Sequence, residues 1–140
     1  MANMRTIDSL TIYNKFIDPV TRLEKYQRAE IEDCYWEDRK AINRSKVGAI
    51  ANDSAMVVIP MVQGANYLKP VAWQALVSKT GKWTLQTGDV MVKGAITDEI
   101  SSSFTITALT KKYNDVITIT SVDTFDSGST RLQHWEISAK

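Results

Sequence analysis

The chain has few of the residues on which enzyme and metal sites depend. Its 140 residues include one cysteine, Cys34, and one histidine, His134. Neither an internal disulfide nor a thiolate-rich zinc site can therefore form. The six glycines never fall into a phosphate-loop or dinucleotide-binding spacing, and no serine stands in a Gly-x-Ser-x-Gly sequence. We therefore expect no enzyme activity, no cofactor and no metal ion.

Long apolar runs and an excess of one charge are also missing. No stretch of eighteen apolar residues could span a membrane, and the first residues lack the apolar core of a signal peptide. Seventeen basic residues against sixteen acidic ones leave a net charge of +1. That balance argues against a surface built throughout for nucleic acid or anionic membrane. We expect a chain that stays in a cytoplasm after synthesis and contacts no membrane.

What the sequence does contain is a series of strand patterns. The length fits a single β domain of residues 1–140, with residues 1–8 as a loose N-terminal arm. Alternating or β-branched apolar residues predict strands over residues 10–16, 23–38, 56–59, 90–93, 116–122 and 131–137. The second strand is long enough to need a bend or a bulge. The pattern predicts a mainly-β fold, a small β-barrel or sandwich of five to six antiparallel strands.

Only two segments indicate helix, and the large apolar residues indicate the core. Residues 71–76 predict a helical turn, and residues 107–113 predict one short helix capped by Thr107. Cys34 is interpreted as a small, half-buried strand residue. Trp36, Trp73, Trp83 and Trp135 are interpreted as core or subunit contacts rather than a stacking platform. The predicted interior residues are Ile12, Val58, Ile59, Val90, Ile117, Ile119 and Trp135.

Carboxylates crowd residues 30–38, where acidic pairs could in principle serve acid–base or magnesium chemistry. On an extended strand Glu30 and Glu32 share one face. The same spacing is typical of the solvent-facing side of an antiparallel sheet. Since no histidine or further ligand spacing accompanies them, we interpret these residues as a solvated face.

Residues 39–55 differ sharply from the rest of the chain, because they are small, polar and basic. The pattern predicts a long inter-strand loop. The segment carries Arg39, Lys40, Arg44 and Lys46, with no acidic residue before Asp53. Such a segment can meet phosphate groups through non-specific, salt-sensitive contacts. It can equally be a solvated connection kept soluble by its charge, and the sequence leaves both readings open.

Several short motifs resemble those of small virion proteins of tailed bacteriophages. Tyr13-Asn14-Lys15 and Asp18-Pro19 near the start of the chain resemble the first hairpin of these proteins. The resemblance continues through most of the chain, in 58–60, 83–85, 88–94, 96–100, 111–122 and 134–137. The proteins so identified belong to the head-completion and head–tail connector group, and their small β-barrel members act as stoppers.

The resemblance implies a non-enzymatic virion protein at the head–tail interface, assembled in the cytoplasm of a host bacterium. Proteins of this group form a ring of six or twelve copies, retain packaged DNA, and dock the tail. The implied partners are portal and adaptor connector proteins, tail proteins and, non-specifically, packaged double-stranded DNA. By position and charge, Arg39, Lys40, Arg44 and Lys46 are the candidates for a loop that enters the channel. The alternatives are a tail terminator or another tail-proximal ring, or, less favoured, a small β-barrel enzyme or ligand-binding module.

Overall fold

The described part of the chain folds as six antiparallel strands whose pairing closes into a barrel. The computed structural model describes residues 8–45 and 48–140, with backbone only for residues 39–45 and 48–53. The strands join in the order β1-β2-β3-β6-β5-β4, which confirms the predicted mainly-β fold. They are β1 Asp8–Ile17, β2 Glu24–Ser45, β3 Gly48–Pro60, β4 Val90–Lys93, β5 Val116–Phe125 and β6 His134–Ala139.

The long strand β2 changes partner half-way along its length. Its first part pairs with β1, and from Tyr35 onward it pairs with β3. The predicted bulge lies at this change, because Leu10 is opposite Ile31 whereas Asp8 is opposite Cys34. Between these two pairs β2 has one residue more than β1, and Asp33 is one of the residues of the bulge. Its φ of 53° is the left-handed conformation that a bulge tolerates. One strand thereby contributes to two parts of the barrel wall.

The predicted loop over residues 39–55 is wrong, because the described residues of this segment, 39–45 and 48–55, form paired strands. β2 continues through Ser45 and β3 begins at Gly48, with Ser45 opposite Gly48. Residues 46 and 47, which include the candidate Lys46, lie outside the described residues. Apolar periodicity is weak here, so sequence patterning did not predict a strand. The pairing instead continues the register that the barrel residues Trp36 and Val57 set.

Apolar residues pack on both sides of the barrel wall. One core fills the interior and contains Ile12, Ile59, Ile119 and Trp135, as predicted. A second core lies against the outer face of β1 and β4 and includes Val90, which is buried there rather than in the predicted interior. Val58 is also buried, whereas Ile117 is only partly buried. The four tryptophans are all buried, at 0–5% exposure.

Three short helices accompany the barrel within residues 8–45 and 48–140. A 3₁₀ helix, Met61–Asn66, follows β3, and α1, Pro70–Gln74, occupies the segment predicted as a helical turn. The predicted short helix is α2, Ile106–Lys112, but its cap is Thr105, whose hydroxyl accepts the Ala108 N–H at 3.3 Å. Among the described residues, no helix has the length and apolar character needed to cross a membrane.

The structure changes the predicted bounds of the N-terminal arm and of the last two strands. Asp8, assigned to the loose arm of residues 1–8, is the first residue of β1, and the remainder of that arm lies outside the described residues. The last two strands form, but β5 continues to Phe125, past the predicted end at residue 122, and β6 begins at His134 rather than at residue 131. In their register Val122 lies opposite Ile137 and Thr124 lies opposite Trp135.

Candidate functional site

The basic segment forms a two-stranded arm on the barrel. We define the arm as residues 39–45 of β2 and 48–54 of β3. The pairing of β3 with β6 ends at Ala55, opposite Ala139. Within the part of the chain that the structure describes, the arm residues have no strand partner except one another. The arm therefore extends away from the closed sheet as a ribbon.

The base of the arm is held by buried and hydrogen-bonded residues. Trp36 is 5% exposed, and its backbone N–H donates to Asp8 Oδ2 at 3.1 Å. Its indole Nε1–H donates to Asp38 Oδ1 at 2.9 Å. Asp38 is the last residue before the arm and lies opposite Ala55. Since the indole is fixed in the barrel core, these bonds fix the position at which the arm leaves the barrel.

The arm concentrates positive charge at a distance from the barrel. Arg39, Lys40 and Arg44 belong to its first strand, and Lys46 follows that strand in the sequence. Asp53, opposite Lys40 in the register, is the only acidic residue of the arm. Seven strand residues rise about 23 Å at the usual 3.3 Å per residue. The positions of the basic residues of the first strand therefore lie along a ribbon of about that length beyond the barrel.

The carboxylates of residues 30–38 and the single histidine contact different neighbours. Glu30 and Glu32 are both exposed, as predicted for a solvated face, and Glu30 pairs with Arg28 at 2.8 Å. His134 contacts the Leu132 carbonyl at 2.6 Å and Glu136 Oε1 at 3.3 Å, and its ring stacks on Phe125. Among residues 8–38 and 54–140, no three histidine, cysteine or acidic side chains converge as metal ligands.

Cys34 is buried in β2 rather than half-buried, and its thiol donates to the Asp8 carbonyl at 3.3 Å. Burial, together with the carboxylates of Asp8 and Asp33, raises the pKa of this thiol to about 12. The thiolate is the reactive form of cysteine. A thiol that is buried and protonated at neutral pH is an unreactive structural residue.

A buried polar network replaces the missing strand partner at the end of β1. Past Tyr13, which is opposite Val90, β1 has no further partner on the β4 side. Asp89 takes that place, since its Oδ1 accepts the Lys15 N–H at 3.1 Å and its Oδ2 accepts Asn14 Nδ2 at 2.8 Å. Gln86 donates to the same Oδ2 at 2.8 Å. The network was not predicted from the sequence, although the polar Asn14 on the inward face of a strand was a signal of it.

The same network borders a shallow pocket of about 250 Å³ beside Lys15, Gln74 and Thr87. Each oxygen of Asp89 already accepts hydrogen bonds from within the chain. The Lys15 carbonyl likewise accepts from Gln74 Nε2 at 3.0 Å. Groups that are satisfied in this way close the sheet edge and do not form a ligand site.

Stability should depend on pH through Asp89. Burial raises the pKa of this carboxyl above 3.8, against the opposing hydrogen bonds from Gln86, Asn14 and the Lys15 N–H. The folded protein therefore binds more protons than the unfolded chain between 3.8 and the raised pKa, and stability falls as pH rises through that window. Each unit of pKa shift corresponds to about 1.4 kcal/mol.

Asp89→Asn removes this titration, so its stability relative to the wild type should improve as the pH rises from about 3.5 to about 7. Denaturant unfolding at several pH values measures the difference. A constant difference between the two proteins across that range would show that Asp89 does not carry the effect.

The comparison with known proteins assigns the chain to a family. Residues 5–140 match the model of a family of unknown function, DUF6751. The match covers nearly the whole chain, and the protein belongs to that family. Neither the curated proteins nor the solved structures contain a significant match.

Proposed function

We propose that this member of the DUF6751 family is a non-enzymatic virion protein of a tailed bacteriophage, a head-completion or stopper subunit. It works by assembling into a ring of six or twelve copies between the portal–adaptor complex and the tail. The ring retains packaged DNA and provides the surface on which the tail docks. Its place of action is the head–tail interface, after assembly in the cytoplasm of the host.

The observation that carries the proposal is the basic arm. A closed barrel gives a rigid subunit body, and the arm extends from it with its base fixed by Trp36. A ring repeats the arm around one axis, so that Arg39, Lys40 and Arg44 from every copy would surround the same channel. Phosphate attraction then depends on this local charge rather than on the subunit's net charge of +1. The resemblance of its short motifs to those of phage connector proteins supports the same role.

A phage genome that carries the gene provides the direct test. A head-completion gene is expected between portal and tail genes, and its removal should yield heads that fill with DNA and then lose it. Free tails of normal length should accumulate in the same lysate. Purified wild-type protein, added to the mutant lysate, should restore infectious particles.

Two outcomes would contradict the stopper role. If heads stay full while tails vary in length, the protein is a tail terminator, which is the alternative position in the same virion. If the gene lies outside any phage genome, and the protein binds no connector proteins in sedimentation, the virion proposal itself is wrong.

A further inference from the structure

Among the residues that the structure describes, no strand lies beside one edge of β2 over residues 24–30. In β1 the N–H of Lys15 and the carbonyl of Ser9 point toward the β4 side, as their bonds to Asp89 Oδ1 and to the Gly94 N–H show. Backbone groups alternate in direction along a strand, so the even residues of β1 face β2. The β2 residues opposite them include Lys25 and Gln27, so the backbone N–H and carbonyl groups of these two residues point toward β1.

The backbone groups of Glu24, Tyr26, Arg28 and Glu30 consequently point away from β1. The pairing of β2 with β3 starts only at Tyr35. Within the described chain, one bond reaches these groups, from Gln27 Nε2 to the Arg28 carbonyl at 3.2 Å. A carbonyl can accept a second bond, so the edge is an open template for another strand.

The open edge lies beside an apolar groove of about 680 Å³ between β2 and residues 100–106. Leu23, which is 64% exposed, Tyr26 and Ile100 contribute its apolar lining. The side chains of Tyr26 and Arg28 point out of the barrel, where Tyr26 packs against the outer core and Arg28 pairs with Glu99. A strand added to this edge would therefore extend the outer face and cover part of the groove.

The sequence of the edge is complementary to itself. In an antiparallel pair of two copies with Tyr26 opposite Tyr26, Glu24 lies opposite Arg28 and Lys25 lies opposite Gln27. This register places no like charges opposite each other within residues 24–28. If the register is shifted by two residues in one direction, Glu24 lies opposite Glu30. If it is shifted by two residues in the other direction, Lys25 lies opposite Lys25 of the other copy. Opposite charges in directly opposed positions stabilise a sheet, and like charges destabilise it.

We infer that two copies of this chain associate through their β2 edges, about a two-fold axis at Tyr26, to form a continuous sheet across two barrels. Each directly opposed pair at Glu24, Tyr26 and Arg28 then exchanges two backbone hydrogen bonds. The contact is isologous, because the same strand is used on both sides. It does not rest on the proposed virion role, because it is a property of the isolated chain and differs from the head-to-tail contacts that a ring of six or twelve copies would use.

Cysteine cross-linking tests the contact and its register. Hydrogen-bonded antiparallel partners have Cα atoms about 5.5 Å apart, within the range that a disulfide spans. Tyr26→Cys should therefore give a disulfide-linked dimer on oxidation, and the buried Cys34 should not compete. Glu24→Cys is the matched control, because two copies of residue 24 would lie about 13 Å apart along the strands. It should remain monomeric on a denaturing gel.

Charge reversal tests the same register without a covalent bond. Glu24→Arg places a second guanidinium opposite Arg28 of the other copy, and this repulsion should weaken dimerisation at least tenfold in sedimentation equilibrium. Arg28→Glu should do the same, while an equal mixture of the two variants should form a heterodimer in which the opposed charges are compatible again. Glu32→Arg, an exposed change outside the paired residues, should leave dimerisation within twofold of the wild type.

The inference is overturned by a wild-type chain that stays monomeric at several hundred micromolar with no cross-link in Tyr26→Cys. In that case the open edge of β2 would be a binding surface for a different protein and not for a second copy of this chain. It is also overturned if Gln27→Cys or Arg28→Cys cross-links in preference to Tyr26→Cys, because the register would then be different. Circular dichroism of each variant confirms that the subunit is folded before either result is counted.

Discussion

Trp135→Ala should destabilise the folded protein by about 3–5 kcal/mol, the usual cost of removing a buried aromatic side chain. Trp135 is 5% exposed and lies in the interior core. Its ring centroid lies 4.4 Å from that of Tyr67 and 5.8 Å from that of Trp83. The three rings fill the space between β6 and the 3₁₀ helix, so truncation would leave a cavity. Denaturant unfolding followed by circular dichroism measures the loss.

Two further variants separate a cavity from general damage to the strand. Phe125→Ala truncates a 44% exposed ring on the neighbouring strand, and its cost should be at most about 1 kcal/mol. Gly64→Ala places a Cβ 2.9 Å from Trp135 Cη2 and should destabilise the wild type. The same change should cost less in the Trp135→Ala background, because the clashing ring is gone. A Trp135→Ala protein that melts like the wild type would show that the residue is not part of the core.

The strands could be predicted where apolar residues alternate or form a β-branched run, as in β1, β4, β6 and residues 56–59 of β3, and the bulge in β2 followed from the length of its pattern. What the pattern missed in β1 is the burial of its outward face, where Thr11 and Tyr13 are as buried as Ile12 on the inward face. The cause is distant in the sequence, since the Thr11 hydroxyl donates to the Gly94 carbonyl at 2.8 Å. Alternation alone cannot reveal a second core on the outside of the wall.

Residues 94–105 cover that outer core as a strap without regular secondary structure. The Tyr13 hydroxyl donates to the Asp98 carbonyl at 2.7 Å, and the Tyr113 hydroxyl donates to Asp98 Oδ2 at 2.6 Å. Burial raises the pKa of Tyr13, so its hydroxyl stays protonated as a donor. Hydrogen bonds from Tyr113 and Lys112 lower the pKa of the Asp98 carboxyl. Such long-range side-chain bonds have no signature in a sequence pattern.

The basic residues of the candidate site could be identified from the sequence, but the paired strands that carry them could not. A polar, basic segment with weak periodicity has the composition of a loop, and the strand pairing is inherited from the neighbouring barrel residues. This difference changes the expectation for function. A flexible loop would contact phosphates in many conformations, whereas a paired ribbon on a fixed base would hold its cations at a defined distance from the barrel.

Neutralising the arm should abolish retention of packaged DNA without unfolding the subunit. The variant carries Arg39→Ser, Lys40→Ser, Arg44→Ser and Lys46→Ser together. A protein that makes six or more phosphate contacts loses DNA affinity by orders of magnitude when those contacts are weakened. Because every copy in a ring loses four cations, we expect the number of DNA-filled heads to fall at least about tenfold. Heads are counted by electron microscopy after assembly with variant protein, and protected DNA is measured after nuclease treatment.

A matched control removes the same charge from elsewhere on the surface. Lys69, Lys93, Lys111 and Lys140 are exposed and lie outside the arm, and changing all four to serine should leave filled heads at the wild-type level. The stability of the arm variant should stay within about 0.5 kcal/mol per substitution, as is usual for surface changes. Raising the salt concentration during assembly should reproduce the arm defect in wild-type heads, because phosphate contacts weaken with salt. If the arm variant retains its genomes and joins tails at the normal yield, the arm does not hold DNA, and its charges serve only to keep a projecting ribbon in solution.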